Sequence, residues 1–215
     1  MTVLLLHALP LDERMWDGQR AALGDRDVVT PRLYGRGPTM DAWAESVAGE
    51  VDGELVVVGA SMGGYCALAL ARLVPERVRG LMLVGARPDD DSPERRAGRA
   101  DTIDLIRREG ADGLWNMMLP KLFADTSVGD KRLLYGDAGG LVGAVEAIRD
   151  RPDSTELVRR FPRPVQFVVG EHEAFVQADE LFEFDVHEVP GSGHLVNLER
   201  PDEFNRILQE FLARV

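Results

Sequence analysis

Short apolar runs rich in branched side chains recur at residues 3–6, 55–58, 81–84 and 165–169, the last broken only by Gln166. Runs that are apolar at every position, not at alternate ones, predict strands buried on both faces, as in a parallel sheet. Residues 27–30 predict a weaker strand ahead of Pro31. Residues 184–189 alternate, as an edge-side strand does. Between the runs the spacing becomes helical. Residues 41–51 put Trp43, Val47 and Val51 on one side, with Asp41 placed to cap. Residues 62–74 are dense in alanine and leucine and stop at Pro75. Pro201 opens a terminal helix with Phe204, Ile207, Leu208, Phe211 and Leu212 on one face. Strand, helix, strand over residues 54–85 implies a right-handed parallel crossover.

The texture changes over residues 87–163. Ser92-Pro93-Glu94 predicts a helix start, running to Glu109 with Gly110 as its stop. Further helices are expected near residues 111–119, 141–149 and 154–161, and no strand. The chain thus reads as an α/β core over residues 1–86 and 164–215, with a helical insertion over residues 87–163. Its arginine-rich helices are expected to present solvated faces. Trp115, Met117, Met118, Leu119, Leu122 and Phe123 form an apolar cluster. That cluster is either the insertion's own core or, through Trp115, Met118 and Leu119, a roof that touches substrate.

Composition narrows the function. The 215 residues are 45% hydrophobic and 29% charged, ordinary for a globular chain, with a net charge of -12. Such acidity argues against nucleic-acid binding and against adhesion to anionic membranes. The lone cysteine, Cys66, can form no disulfide within the chain and reads as a small core residue. The apolar run at the N-terminus meets His7 too soon for a signal peptide. No stretch approaches the ~20 apolar residues of a membrane span. A cytoplasmic protein is expected; its oligomeric state is open.

The chemistry concentrates at Gly59-Ala60-Ser61-Met62-Gly63-Gly64, which joins the strongest strand to a helix. This is the G-x-S-x-G pattern in the context it requires. Lifting a serine hydroxyl out of so tight a turn strains its backbone, and side chains at the flanking glycines would clash. A serine nucleophile needs a base. His194, in Gly191-Ser192-Gly193-His194 between the last strand and the terminal helix, emerges at the same sheet edge as Ser61. An acid must orient that base. Glu171 and Glu173 follow a strand, with Glu173 favoured, and Asp89, Asp90 and Asp91 are rivals. Glu171, His172, Glu173 and His187 lack metal-ligand spacing, so no metal is expected.

On these residues the chain resembles the α/β-hydrolases. Leu4-Leu5-Leu6-His7-Ala8-Leu9-Pro10 with Met15-Trp16 looks like their oxyanion loop, and Tyr34-Gly35-Arg36-Gly37 like their R-G-x-G loop. Gly170-Glu171-His172-Glu173 falls where the family has G-x-x-D, and residues 191–201 resemble its histidine loop. The nearest flavour is the small-ester and enol-lactone group. The resemblance implies a mostly parallel, doubly wound sheet lacking the family's two leading strands, with a helical cap and a stub of helix near residues 178–182. It further implies an oxyanion hole from the backbone N–H groups of Leu9 and Met62; His7 either supports that loop or fills the core. Ala8 stands in place of the usual glycine, and Glu173 in place of the usual aspartate. The expected activity is hydrolysis of a small carboxylic ester through an acyl-enzyme, with Ser61, His194 and Glu173 as triad and no cofactor. A lactonase or thioesterase on the same triad, or an idle scaffold binding a small ligand, are the alternatives.

Overall fold

In the computed structural model, which describes residues 1–215, six strands form one sheet. They are β1 (Thr2–Leu6), β2 (Val28–Val29), β3 (Leu55–Ala60), β4 (Val78–Val84), β5 (Val165–Gly170) and β6 (Val186–Val189). Their order is β2-β1-β3-β4-β5-β6, and every pairing is parallel, not merely most of them. Each residue of β1 and β3 is buried, which is why those runs carry no polar alternation. The chain steps from β1 outward to β2, then returns to set β3 on the other side of β1. Strand order therefore reverses between β1 and β3, and their carboxyl ends open the crevice where such sheets place a site.

Helices flank the sheet. α1 (Asp17–Leu23) follows a 3-10 turn at Glu13–Trp16; neither was predicted. No 3.6-residue stripe marks them, and they are held by tertiary bonds instead. The Gln19 amide donates to the Asn197 carbonyl, and the Asn197 amide donates to the Met15 carbonyl. α2 (Met40–Glu50) buries Trp43, Ala44 and Val47. Its cap is Thr39 and not Asp41: the Thr39 hydroxyl accepts from the Ala42 N–H at 3.1 Å. Thr39 is the last residue with extended backbone, whereas Asp41 already lies in the first turn and pairs with Arg72. α3 (Met62–Leu73) packs on β1, β3 and β4.

Between β4 and β5 lie α4 (Pro93–Leu122), α5 (Ala138–Arg149) and α6 (Thr155–Arg160), with no strand. Ser92 caps α4 by accepting from the Arg95 N–H. Gly110, at φ 67° and ψ -159°, breaks α4 into two arms at the residue where the sequence predicts a stop. This segment is tied to the loop after β1 by a single bridge, Leu11 to Leu134, and to the loop after β2 by the Tyr34–Tyr135 stack at 4.0 Å. Beyond β5, a 3-10 turn at Ala178–Leu181 occupies the expected stub, and α7 (Val196–Glu199) precedes α8 (Pro201–Leu212). α8 buries all five of its predicted apolar positions. No helix is long and apolar enough to cross a membrane.

Candidate active site

The elbow at the end of β3 is shaped by backbone crowding. Ser61 has φ 50° and ψ -112°, and no other non-glycine residue has a positive φ. A Cβ on Gly63 would lie 2.1 Å from the Leu6 carbonyl oxygen. One on Gly59 would lie 2.3 Å from the Gly63 oxygen. The strand–turn–helix can close only with glycine at both places. The Ser61 N–H donates to the Val84 carbonyl at 2.7 Å, which anchors the turn to β4. Met62 is the first residue of α3, so its N–H has no partner inside the helix and lies at the positive end of the helix dipole. Leu9, on the loop after β1, lines the same cavity as Ser61.

His194 and Glu173 form a buried pair, each with 1% of its side chain exposed. The carboxylate accepts from the imidazole Nδ1 at 2.7 and 2.8 Å, which leaves Nε2 as the acceptor nitrogen of the neutral ring. Glu173 also accepts from the Phe175 N–H at 2.8 Å. Burial works to raise the Glu173 pKa, but His194 and the Phe175 and Ala174 N–H groups outweigh it and hold the carboxyl below its ordinary value. The Phe175 ring packs on the imidazole at 4.6 Å. The loop is clamped by the Leu195 N–H donating to the Leu122 carbonyl and by the Gly193 N–H donating to Glu199. His194 spends its hydrogen bonds on Glu173 and makes none to the Ser61 hydroxyl; such contacts commonly tighten only when substrate is bound.

Gly85 brings the two halves together. It lines the cavity with Ser61, and a Cβ there would sit 2.7 Å from the His194 Nδ1 and 2.9 Å from the Glu173 Oε2. Sequence reading passed over this glycine, although its place at the end of β4, one residue past the strand, was a usable signal. The rival acids face elsewhere. Asp89 pairs with Arg87 and Arg95, Asp90 with Arg96, and Asp91 with Arg95, Arg99 and Arg151. Glu171 accepts from the Gly191 N–H instead of turning toward His194, and no three His, Cys, Asp or Glu side chains converge as metal ligands.

His7 lies wholly buried beneath the Leu9 loop. Its Nε2 accepts from the Leu33 N–H at 2.9 Å, which requires an unprotonated nitrogen, and burial pushes its pKa down to about 4. Cys66 is buried in α3, and burial pushes its thiol up to about 12, so it is inert core.

The cavity has an inner chamber of about 60 Å³ at Ser61 and an outer one of about 270 Å³. Of the three insertion residues singled out from sequence, Met118 lines both chambers. Trp115 and Leu119 line neither: Trp115 is packed into the core, and Leu119 lies against the Gly129 turn. The first arm of α4 is solvated at Arg96, Arg107 and Arg108, as expected, but one of its stripes is not. Arg95, Gly98, Arg99 and Thr102, spaced as one helical stripe, line the outer chamber.

Residues 3–207 match the alpha/beta hydrolase family model, and the chain belongs to that family. A thermophilic esterase from Thermogutta terrifontis, solved with malate bound, superposes with TM-score 0.89 at 31% identity, covering 99% of this chain and 89% of that one. A pimeloyl-[acyl-carrier protein] methyl ester esterase from Aromatoleum aromaticum is 38% identical over 93 residues, which is 40% of this chain and 37% of the relative. The enol-lactonase from Burkholderia xenovorans LB400 shares the fold, with TM-score 0.83 at 24% identity over 99% of this chain and 91% of its own.

Proposed function

We propose that the protein is a serine esterase acting on a small carboxylic ester through an acyl-enzyme. The observation that carries this is Ser61, held at positive φ on a helix N-terminus, opening into a cavity beside the buried Glu173–His194 pair. Ser61 Oγ attacks the ester carbonyl as His194 Nε2 takes its proton. The tetrahedral oxyanion is received by the Leu9 and Met62 N–H groups. His194 then protonates the departing alkoxide, leaving the acyl group on Ser61. A water, deprotonated by His194, attacks the acyl-enzyme. Collapse releases the carboxylic acid and returns the proton to Ser61 Oγ. Glu173 keeps Nδ1 protonated and stabilises the imidazolium. Residues 87–163 act as a cap over the substrate, with Met118 against its apolar part.

Esters are favoured over lactones and thioesters because both reported relatives above 30% identity are esterases. The inner chamber favours a short acyl group. Hydrolysis of p-nitrophenyl acetate and butyrate by wild type and Ser61→Ala tests the reading. A loss of about 10⁴-fold or more in Ser61→Ala supports it. Equal rates would sink it. If wild type itself is silent, labelling by a fluorophosphonate decides: adduct at Ser61 means the wrong ester was offered, and no adduct means an idle site.

A further inference from the structure

The walls of this cavity carry charge of one sign. Arg87, Arg95 and Arg99 line the inner chamber, and Arg95, Arg99 and Lys121 line the outer one. No aspartate or glutamate lines either, in a chain whose net charge is -12. The nearby carboxylates hold Arg99 by one edge, whereas Arg87 is taken up by Asp89, Glu180 and the Phe175 carbonyl. Asp91, with no exposed side-chain surface, accepts from the Arg99 Nε at 2.9 Å and from Arg151 at 2.7 Å. Asp89 accepts from the Arg95 Nη2 at 2.8 Å and also takes Arg87. The Nη groups of Arg99 are left without a partner, and Lys121, exposed on the last turn of α4, makes no ion pair. Arg99 stays one-quarter exposed, on the face that the cavity occupies.

A purely apolar ester gives no reason for this arrangement. The free Nη edge of Arg99 and the unpaired Lys121 are open donors on the cavity wall, and a carboxylate is the group that matches them. We propose that the substrate carries a second, free carboxylate, bound by the Arg99 guanidinium with Arg95 and Lys121 while its ester carbonyl meets Ser61. This rests on the ester-hydrolase reading and names its substrate class: the half-ester of a short dicarboxylic acid, or an ester whose alcohol bears a carboxylate. A guanidinium held at one edge offers its remaining N–H groups to a carboxylate in a fixed fork. Because only binding at the wall is involved, the chemistry at Ser61 is unchanged.

Three esters test it: methyl butyrate, monomethyl glutarate with its charge on the acyl side, and butyryl glycolate with its charge on the alcohol side. In wild type, kcat/KM for at least one charged ester is expected to exceed that for methyl butyrate by about tenfold. Arg99→Gln and Lys121→Gln should each cut that ratio severalfold, chiefly through KM, and Arg99→Lys should restore part of it. Lys121→Gln breaks no ion pair, so it keeps the test valid if Arg99→Gln folds poorly. A wild type that prefers methyl butyrate to both charged esters overturns the proposal and leaves the esterase reading standing. So does a ratio indifferent to both substitutions. If no ester is turned over, fluorophosphonate labelling at Ser61 decides the esterase reading, and calorimetric titration with glutarate decides the anion site separately. Saturable binding weakened by Arg99→Gln and Lys121→Gln sustains the anion site, and absence of binding overturns it.

Discussion

The two walls of the cavity are built by different physics. On the sheet side, Gly59 and Gly63 meet main chain, and Gly85 meets the His194 and Glu173 side chains, so closely that a single methyl group has nowhere to go. On the insertion side, Arg95 and Arg99 are placed by side-chain ion pairs to Asp89 and Asp91 on a helix that Gly110 divides. The first wall positions reacting atoms, and small displacements there cost rate. On the proposed reading the second wall chooses what enters.

The largest expected break falls on the sheet side. Glu173→Gln preserves shape but removes the acceptor that keeps His194 protonated at Nδ1. Ester hydrolysis should fall on the order of 10⁴-fold with little change in melting temperature; a fall below tenfold would show that another group orients His194. On the insertion side the expected cost is stability. Asp91→Ala leaves Arg151, 4% exposed, and the Nε edge of Arg99 without their shared carboxylate. Urea denaturation should register a loss of about 3–5 kcal/mol. A loss under about 1 kcal/mol would mean that the arginines find other partners and the wall is not built on Asp91.

His7 sharpens the sheet side through pH. Its pKa is about 4 folded against 6.5 unfolded, so the unfolded chain binds the proton more readily. Stability from the neutral ring is complete above pH 6.5 and is lost as pH falls from 6.5 toward 4, by about 3 kcal/mol. Replacing His7 by Gln should flatten that part of the stability-versus-pH curve; an unchanged slope would refute the assignment. Glu173 acts lower on the scale. Its depressed pKa contributes stability above the ordinary glutamate value of 4.5 that is lost as pH falls through the folded value, so the two limbs are separable. The smallest effect belongs to the insertion. Gly143 lies inside α5 with open space at its Cβ position. Gly143→Ala should stabilise by about 0.5–1 kcal/mol in the same denaturation, and a destabilisation would show the helix surface there to be occupied.

Much of the core was legible because it is local. The buried strands, the elbow, the Gly110 break and the apolar face of α8 each follow from residues within a few positions of one another. α1 was missed because tertiary hydrogen bonds from Gln19 and Asn197 hold it, not its own periodicity. Thr39 displaced Asp41 as a cap because the helix begins at Met40, two residues earlier than a cap at Asp41 requires. The arginines of α4 read as solvated because nothing in their spacing says which face of an insertion meets a cavity.

The sequence by itself determined the parallel α/β architecture and the glycine-flanked serine between strand and helix, since each is carried by residues within a few positions of one another. Only the tertiary structure decided among Glu173, Asp89, Asp90 and Asp91 as partner of His194. The ends of β4 and β5 reach the same sheet edge, so all four acids were within plausible reach. The arginines drew the three aspartates away and left the buried imidazole to Glu173. Likewise, only packing turned Arg95 and Arg99 inward, because a side chain's facing depends on what its helix is laid against.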